Sequence, residues 1–129
     1  MERVELDDYL LIAEALTGLD AHALANAPQV VARAESALAA PFASFDGVEF
    51  YDGLVLKAAV LCSRLNRNHP LPDGNKRAAY LSMIEFIRRN DGLWVPRADV
   101  DERAEMVERL AADDVTEDEF AAWVGDQVG

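Results

Sequence analysis

Apolar residues recur with helical spacing along most of the chain, which predicts several amphipathic helices. A first helix is predicted over residues 6 to 16, with Leu10 and Leu11 facing inward, and Gly18 ends it. Asn26 has the side chain of an N-cap for a second helix, which Pro41 ends. The first part of the chain therefore predicts the beginning of a helical bundle.

Two longer helical patterns occupy the middle of the chain. Asp52 is placed to cap the first of them, which runs up to His69. The second follows residue 75 and is apolar on nearly every side, so it is predicted to be the central buried helix of the bundle. Residues 90 to 92 (Asn-Asp-Gly) end it, and residues 93 to 95 are predicted to be extended.

Residues 42 to 51 break the helical spacing. Four aromatic residues are separated there by polar ones, and Asp46-Gly47 is a signal for a tight hairpin turn. A short β-hairpin is therefore predicted, with an irregular loop anchored by aromatics as the alternative. From residue 98 onward acidic residues dominate, but apolar positions keep helical spacing and Thr116 with Glu119 forms a capping box. These residues are predicted to form solvated amphipathic helices.

Polar chemistry concentrates between the two long helices, in residues 69 to 79, which read HPLPDGNKRAA. Pro70 and Pro72 exclude a helix and favour extended geometry at the residue before each of them. The helix that starts near Gly74 leaves unpaired N–H groups. An anion cradle is therefore predicted at the start of this helix, from Gly74, Asn75, Lys76 and Arg77.

His69 and Asp73 add reactive groups to this cradle. A histidine can act as a base near neutral pH, and a carboxylate is a hard oxygen ligand suited to Mg²⁺. Asp-Gly-Asn is also ordinary turn and capping chemistry, so a purely structural loop is the alternative. The spacing excludes a glycine-rich P-loop and a Ca²⁺ loop.

Composition limits the class of protein. A chain of 129 residues, 51% of them hydrophobic, suffices for one domain, residues 1–129. No apolar run reaches the ~18 residues of a membrane span, and the N-terminus does not resemble a signal peptide, so we expect a cytoplasmic protein that does not enter membranes. Cys62, the only cysteine, is predicted to lie in the core.

The net charge of -12 argues against direct binding of nucleic acid. Residues 64 to 89 nevertheless carry six basic residues against two acidic ones, a local charge of +4. Basic charge is therefore predicted to collect around the motif, although Arg88 and Arg89 are better explained as a solvated helix end.

The motif resembles the signature of the Fic/Doc superfamily, His-x-Phe-x-Asp/Glu-Gly/Ala-Asn-Gly/Lys-Arg, and Lys76 is similar to the version found in the Doc branch. The order of the surrounding residues, from about 6 to 95, also resembles small Doc-like proteins. Leu71 departs from the usual Phe and Ala78 from the Thr common in this branch. The resemblance implies an all-α bundle of about six helices with a short β-hairpin flap, and a catalytic loop between the third and fourth helices.

The same resemblance implies a function. The family's Doc branch comprises toxins that transfer the γ-phosphate of ATP, with Mg²⁺, to a threonine of elongation factor Tu. His69 would be the base, Asp73 the metal ligand, and residues 74 to 77 the phosphate contacts, with a further contact from Arg67. The flap, residues 42–51, would dock the target by strand addition.

Two alternatives remain open. Fic relatives more commonly transfer a nucleotidyl group, usually with Gly where this chain has Lys76. A non-catalytic partner-binding scaffold is the second alternative, against which His69, Asp73 and Asn75 argue. No Ser/Thr-x-x-x-Glu run of the kind that blocks other Fic proteins is present, so the resemblance implies a separate Phd-type antitoxin that acts in trans.

Overall fold

The structure is a computed structural model that describes every residue from Met1 to Gly129. It is all-α with one small hairpin, which confirms the predicted fold class. The helices are α1 (Leu6–Thr17), α2 (Ala21–Ala25), α3 (Pro28–Ala39), α4 (Leu54–Asn68), α5 (Asn75–Arg89), α6 (Val100–Ala111) and α7 (Glu117–Gln127). A 3₁₀ turn (Ala40–Phe42) leads into strands β1 (Ser44–Phe45) and β2 (Val48–Glu49). None of these helices is both long and apolar enough to span a membrane.

The short helix α2 was not predicted, and two helix starts differ from the prediction. Asn26 ends α2, where its side chain donates to the His22 carbonyl at 2.8 Å, so α3 begins after Ala27 without a side-chain cap. The N-cap of α4 is Gly53, with no side-chain cap from Asp52. Because α2 precedes α3, the motif loop lies between the fourth and fifth helices.

Helix α4, and not α5, is the centre of the bundle. It packs against α3, α5, α6 and α7, and its residues 57 to 63 are all buried. Helix α5 contacts α1, α4 and α6 but leaves Lys76, Arg77 and Leu81 exposed. The small side chains of Ala58 and Ala59 let neighbouring helices approach α4 closely, so it takes the central position.

The buried face of the first helix, α1, also differs from the predicted one. Tyr9, Leu10 and Ala13 point into the core, whereas Leu11 is 60% exposed. Successive residues of a helix lie about 100° apart, so a stripe through Tyr9, Leu10 and Ala13 turns Leu11 to solvent. The inward prediction for Leu11 was wrong. Cys62, by contrast, is buried as predicted, and burial raises the pKa of its thiol to about 12.

The predicted hairpin is confirmed. Phe45 pairs with Val48 across the turn, whose Asp46 and Gly47 both have positive φ (52° and 79°) as a tight hairpin requires. Both apolar side chains of this pair are exposed, as is Phe50 after the second strand. Residues 42–51 are called the flap below.

One buried cation fastens the flap to α4. The side chain of Lys57 is almost fully buried and forms an ion pair with Glu49 at 3.0 Å. Its ammonium also donates to the Tyr51 carbonyl. The flap is therefore anchored at its second strand, while its tip remains open to solvent.

The C-terminal third folds as predicted. Thr116 and Glu119 form a reciprocal capping box at the start of α7, with both bonds at 3.0 Å. The predicted extended piece is present as well, because Trp94 forms an isolated antiparallel bridge with Val128. Helix α7 packs on α4, and this contact brings the acidic end of the chain alongside the helix that leads to the motif.

Candidate functional site

The motif loop begins at the end of α4. His69 adopts a left-handed conformation (φ 49°, ψ 59°), and its N–H donates to the Leu65 carbonyl at 3.3 Å. The extended geometry predicted before Pro70 is therefore wrong at this residue. The reason is that a left-handed residue is a common way to end an α-helix, and here the helix end prevails over the preference of the following proline.

Asn75 holds the loop in place from the other side. Its carboxamide accepts from the Leu71 N–H at 2.9 Å and donates to the Leu71 carbonyl at 2.8 Å. Leu71 itself is buried in the core, so the loop is pinned at its middle. Because both ends of the Asn75 carboxamide are occupied, the group that this residue can offer to an anion is its backbone N–H.

The start of α5 provides a set of free donors. Its N-cap is Gly74, which has no side-chain cap, and the first backbone bond runs from the Ala78 N–H to the Gly74 carbonyl at 2.9 Å. The N–H groups of Asn75, Lys76 and Arg77 therefore have no partner within the protein. Such a helix start carries partial positive charge and suits a phosphate.

Gly74 is required at this N-cap for two reasons. Its φ is 78°, and a Cβ atom placed on it would lie 2.5 Å from Cγ2 of Thr17. We expect Gly74→Ala to lower the free energy of unfolding by about 1–2 kcal/mol from the backbone conformation, and further from the contact. Urea denaturation measures the loss.

Gly18→Ala is the matched control, because Gly18 has the same φ (77°) with open space around it. In a Thr17→Ser background, which removes the clashing methyl group, Gly74→Ala is expected to cost no more than Gly18→Ala. Equal costs of Gly74→Ala in both backgrounds would show that Thr17 does not constrain the cradle.

A pocket of about 580 Å³ brings the motif residues together. It is lined by the motif, by one residue of α4 and by the C-terminal end of α6: Asn66, His69, Pro72, Asp73, Gly74, Asn75, Lys76, Arg77, Glu108, Ala111 and Ala112. Arg67 does not line it. That side chain lies on a neighbouring pocket of about 490 Å³, together with Thr116 and Glu117.

The comparisons with known proteins agree with this geometry. A model of the Fic/DOC family matches residues 5–87. A protein named Toxin Doc from Mycolicibacterium smegmatis (strain ATCC 700084 / mc(2)155) is 38% identical over 88 residues, which cover 68% of each chain. The chain belongs to the Fic/Doc family. The similarity to Toxin Doc places it in the predicted Doc branch. No solved structure gave a significant match.

The structure explains how this Fic/Doc chain tolerates Leu71 in place of the usual Phe. The leucine side chain is only 2% exposed, and its backbone is held by Asn75 at both polar groups. The smaller residue therefore still anchors the loop. The family model ends at residue 87, so α6 lies outside it and yet supplies Glu108, Ala111 and Ala112 to the pocket.

His69 and Asp73 are free to react. Both are exposed, and neither side chain forms a hydrogen bond or ion pair within the protein. The structure has no cluster of three or more metal-binding side chains. One free carboxylate beside a phosphate cradle does fit Mg²⁺, which is usually held by one or two carboxylates together with substrate phosphates and waters.

Glu108 is a pocket residue that sequence reasoning missed. Its carboxylate binds the Lys76 ammonium at 2.8 Å, and both side chains are at least half exposed. Exposed ion pairs are weak, so a phosphate group with several charges can displace this carboxylate. No local pattern points to Glu108, because it lies 32 residues from Lys76.

Only some of the basic residues predicted around the motif lie at the pocket. Arg64 binds Glu117 at 2.9 Å and the Tyr51 hydroxyl at 2.7 Å. Burial would raise the pKa of Glu117, but hydrogen bonds from Arg64 and Ser63 outweigh it and lower the pKa. At the other end of α5, Arg88 pairs with Glu85 and Arg89 pairs with both Glu85 and Asp8. Lys76 and Arg77 are therefore the basic residues of the pocket.

Proposed function

We propose that this chain is the toxin of a toxin–antitoxin system. We further propose that it transfers the γ-phosphate of ATP to a threonine hydroxyl of a translation factor, with elongation factor Tu as the expected target. One observation carries the proposal: a single pocket is lined by a free base, a free carboxylate and a helix start with unpaired N–H groups. Transfer of a phosphoryl group requires mainly positioning and stabilisation of charge, which these groups supply.

Each group has a place in the reaction. His69 takes the proton of the target hydroxyl, whose oxygen forms a bond to the γ-phosphorus while the bond from that phosphorus to the β–γ bridging oxygen breaks. The N–H groups of residues 75 to 77, with the charged ends of Lys76 and Arg77, bind the phosphate oxygens. Asp73 would hold Mg²⁺, which would neutralise phosphate charge when bound. Arg67 faces the neighbouring pocket, from which it could bind only a part of a ligand that extends beyond the cradle.

Transfer of a nucleotidyl group is the second candidate. The family's members with that activity usually have Gly where this chain has Lys76, and the smaller residue leaves room for the α and β phosphates against the helix start. Here the Lys76 side chain occupies the rim of the pocket and is held across it by Glu108. This arrangement favours a terminal phosphate in the cradle.

Labelled ATP distinguishes the two reactions. With γ-labelled ATP, Mg²⁺ and a translation extract, we expect the label to appear on a translation factor, and with α-labelled ATP we expect none. The His69→Ala variant controls for other kinases in the extract. Label from the α position alone would show nucleotidyl transfer, and no label from either would favour the non-catalytic scaffold.

The flap is the proposed docking site for the target. Phe45, Val48 and Phe50 present apolar side chains to solvent, and the strand that carries Val48 is anchored through the Lys57–Glu49 ion pair. A short strand with free backbone groups can add an extended segment of another protein. Strand addition here would bring a target hydroxyl towards His69.

We also propose a Phd-type antitoxin in trans and a cytoplasmic location, where both partner and target are accessible. The antitoxin's apolar C-terminal segment would fold as a helix on the bundle beside the pocket. We expect expression of the chain alone to arrest growth, and co-expression of such an antitoxin to restore it. Normal growth with folded, ATP-binding protein at high abundance would contradict the toxin assignment.

A further inference from the structure

Asn66 holds a buried acceptor that has no partner. Its side-chain Nδ2 donates to the Cys62 carbonyl at 2.9 Å, and that bond fixes the orientation of the amide because only the nitrogen end can donate. The other end, Oδ1, is shielded from solvent and accepts no hydrogen bond. Buried polar atoms in proteins are nearly always paired, so an unpaired one in a pocket wall indicates a missing donor.

The missing donor is present on the same wall. Asn66 lies in the last turn of α4, His69 is the C-cap of that helix three residues further on, and both line the motif pocket. The imidazole of His69 also has no hydrogen-bond partner in the protein. One acceptor without a donor and one ring N–H without an acceptor therefore belong to residues of the same pocket.

Two other side chains of the pocket already use their donors within the protein. The Asn75 carboxamide is bonded to Leu71 at both ends, and the Lys76 ammonium is bonded to Glu108. The guanidinium of Arg77 and the N–H groups at the start of α5 remain free, but the proposed function assigns them to the phosphates. The guanidinium of Arg67 is also free, but it lines the neighbouring pocket, which Asn66 borders as well. His69 is the free side-chain donor that shares the motif pocket with Asn66 and lies three residues from it, which favours His69 as the donor.

We propose that Asn66 is a positioning residue for His69, an inference that rests on the proposed role of His69 as the base. When a small rotation of the ring brings one imidazole N–H to Asn66 Oδ1, that nitrogen keeps its proton. The second ring nitrogen then keeps its lone pair and faces the pocket, where it accepts the proton of the target hydroxyl. A hydrogen bond at one nitrogen thus selects the tautomer that can act as a base at the other.

The two histidines of the chain make a direct test possible, because the ring ¹⁵N resonances of His69 can be compared with those of His22 in one spectrum. At a pH where both rings are neutral, we expect His69 to favour one tautomer in the wild type. Asn66→Ala is expected to reduce that tautomer ratio roughly 2- to 10-fold, the range that one net hydrogen bond supports. Asn66→Asp keeps an oxygen acceptor and is expected to retain the preference.

Asn68→Ala is the matched control. Asn68 lies in the last turn of α4 as well, but its side chain donates to the Arg33 carbonyl and does not line the pocket. Removing that side chain should therefore leave the tautomer ratio of His69 unchanged. In transfer assays, Asn66→Ala is expected to lower kcat with little change in KM for ATP. The NMR measurement needs no nucleotide, so it stands even if the proposed reaction is wrong.

Three results would overturn the proposal. The first is a tautomer ratio of His69 that is the same in the wild type and in folded Asn66→Ala. The second is a change of that ratio in Asn68→Ala as large as the change in Asn66→Ala. The third is a response of the Arg77 guanidinium resonances in place of those of His69, which would assign the acceptor to Arg77. If Asn66→Ala does not fold, the wild-type protein still provides a test. A tautomer ratio of wild-type His69 equal to that of a short unfolded peptide containing His69 would also exclude the hydrogen bond.

Discussion

Replacing His69 with alanine is expected to abolish growth arrest and transfer to the target while the chain stays folded. The side chain is exposed and forms no hydrogen bond within the protein, so its removal costs the fold little. Loss of a general base typically lowers a rate by ~10² to 10⁴. Growth curves at matched protein abundance, together with transfer assays, measure the effect.

The other histidine provides the control. His22 is exposed on α2 and does not line the motif pocket, so His22→Ala is expected to keep full activity. Asp73→Ala is expected to be inactive as well, whereas Asp126→Ala, at an exposed aspartate of α7, is expected to be active. Arrest of growth by either His69→Ala or Asp73→Ala would show that the assignment of base and metal ligand is wrong.

The largest effect on stability is expected from Asn75→Ala. This change leaves the N–H and the carbonyl of buried Leu71 without partners, and each unsatisfied buried group costs about 1–3 kcal/mol. We therefore expect a loss of about 2–5 kcal/mol in the free energy of unfolding, measured by urea denaturation. Hydrogen exchange at the Leu71 amide should become faster. If the amide exchanges through global unfolding, the factor should correspond to the loss in free energy of unfolding, and if the loop opens locally, the factor should be larger.

Two variants distinguish the loss of the loop contacts of Asn75 from a general effect of replacing an asparagine near a helix end. Asn75→Asp keeps an acceptor for the Leu71 N–H but cannot donate to its carbonyl, so it is expected to restore only part of the protection. Asn68→Ala removes an exposed bond to the Arg33 carbonyl and is expected to change stability by less than about 1 kcal/mol. Unchanged protection of Leu71 in Asn75→Ala would mean that the carboxamide does not hold the loop.

The acidic third of the chain shows why the pocket could be predicted only in part. Seven motif residues line it: His69 and, three residues further on, the contiguous run from Pro72 to Arg77. Their order and spacing were therefore enough to predict a cradle beside a base. Glu108 and its neighbours on α6 reach the same pocket from more than 30 residues away, through the packing of α6 against α4 and α5. A long-range contact of this kind leaves no mark in local spacing.

Two of the predicted site residues have contacts that their residue types did not reveal. Asn75 was predicted as a phosphate contact, but its side chain pins Leu71, and only the backbone N–H faces outward to an anion. Arg67 was predicted beside the phosphates, but its position on α4 directs it to the adjoining pocket. Side-chain direction on a helix depends on where the helix ends and how it rotates against its neighbours.

The sequence by itself determined the features that depend on neighbours within about four residues: every helix except the short α2, the Asp46-Gly47 turn, the Thr116 capping box and the motif with its free helix start. The reason is that backbone hydrogen bonds and caps join residues close in the chain. Tertiary packing alone decided that α4 is the central helix, that Leu11 faces solvent and that Arg64 binds Glu117. These outcomes depend on which surfaces of distant segments fit together, and the small residues of α4 allow the closest approach.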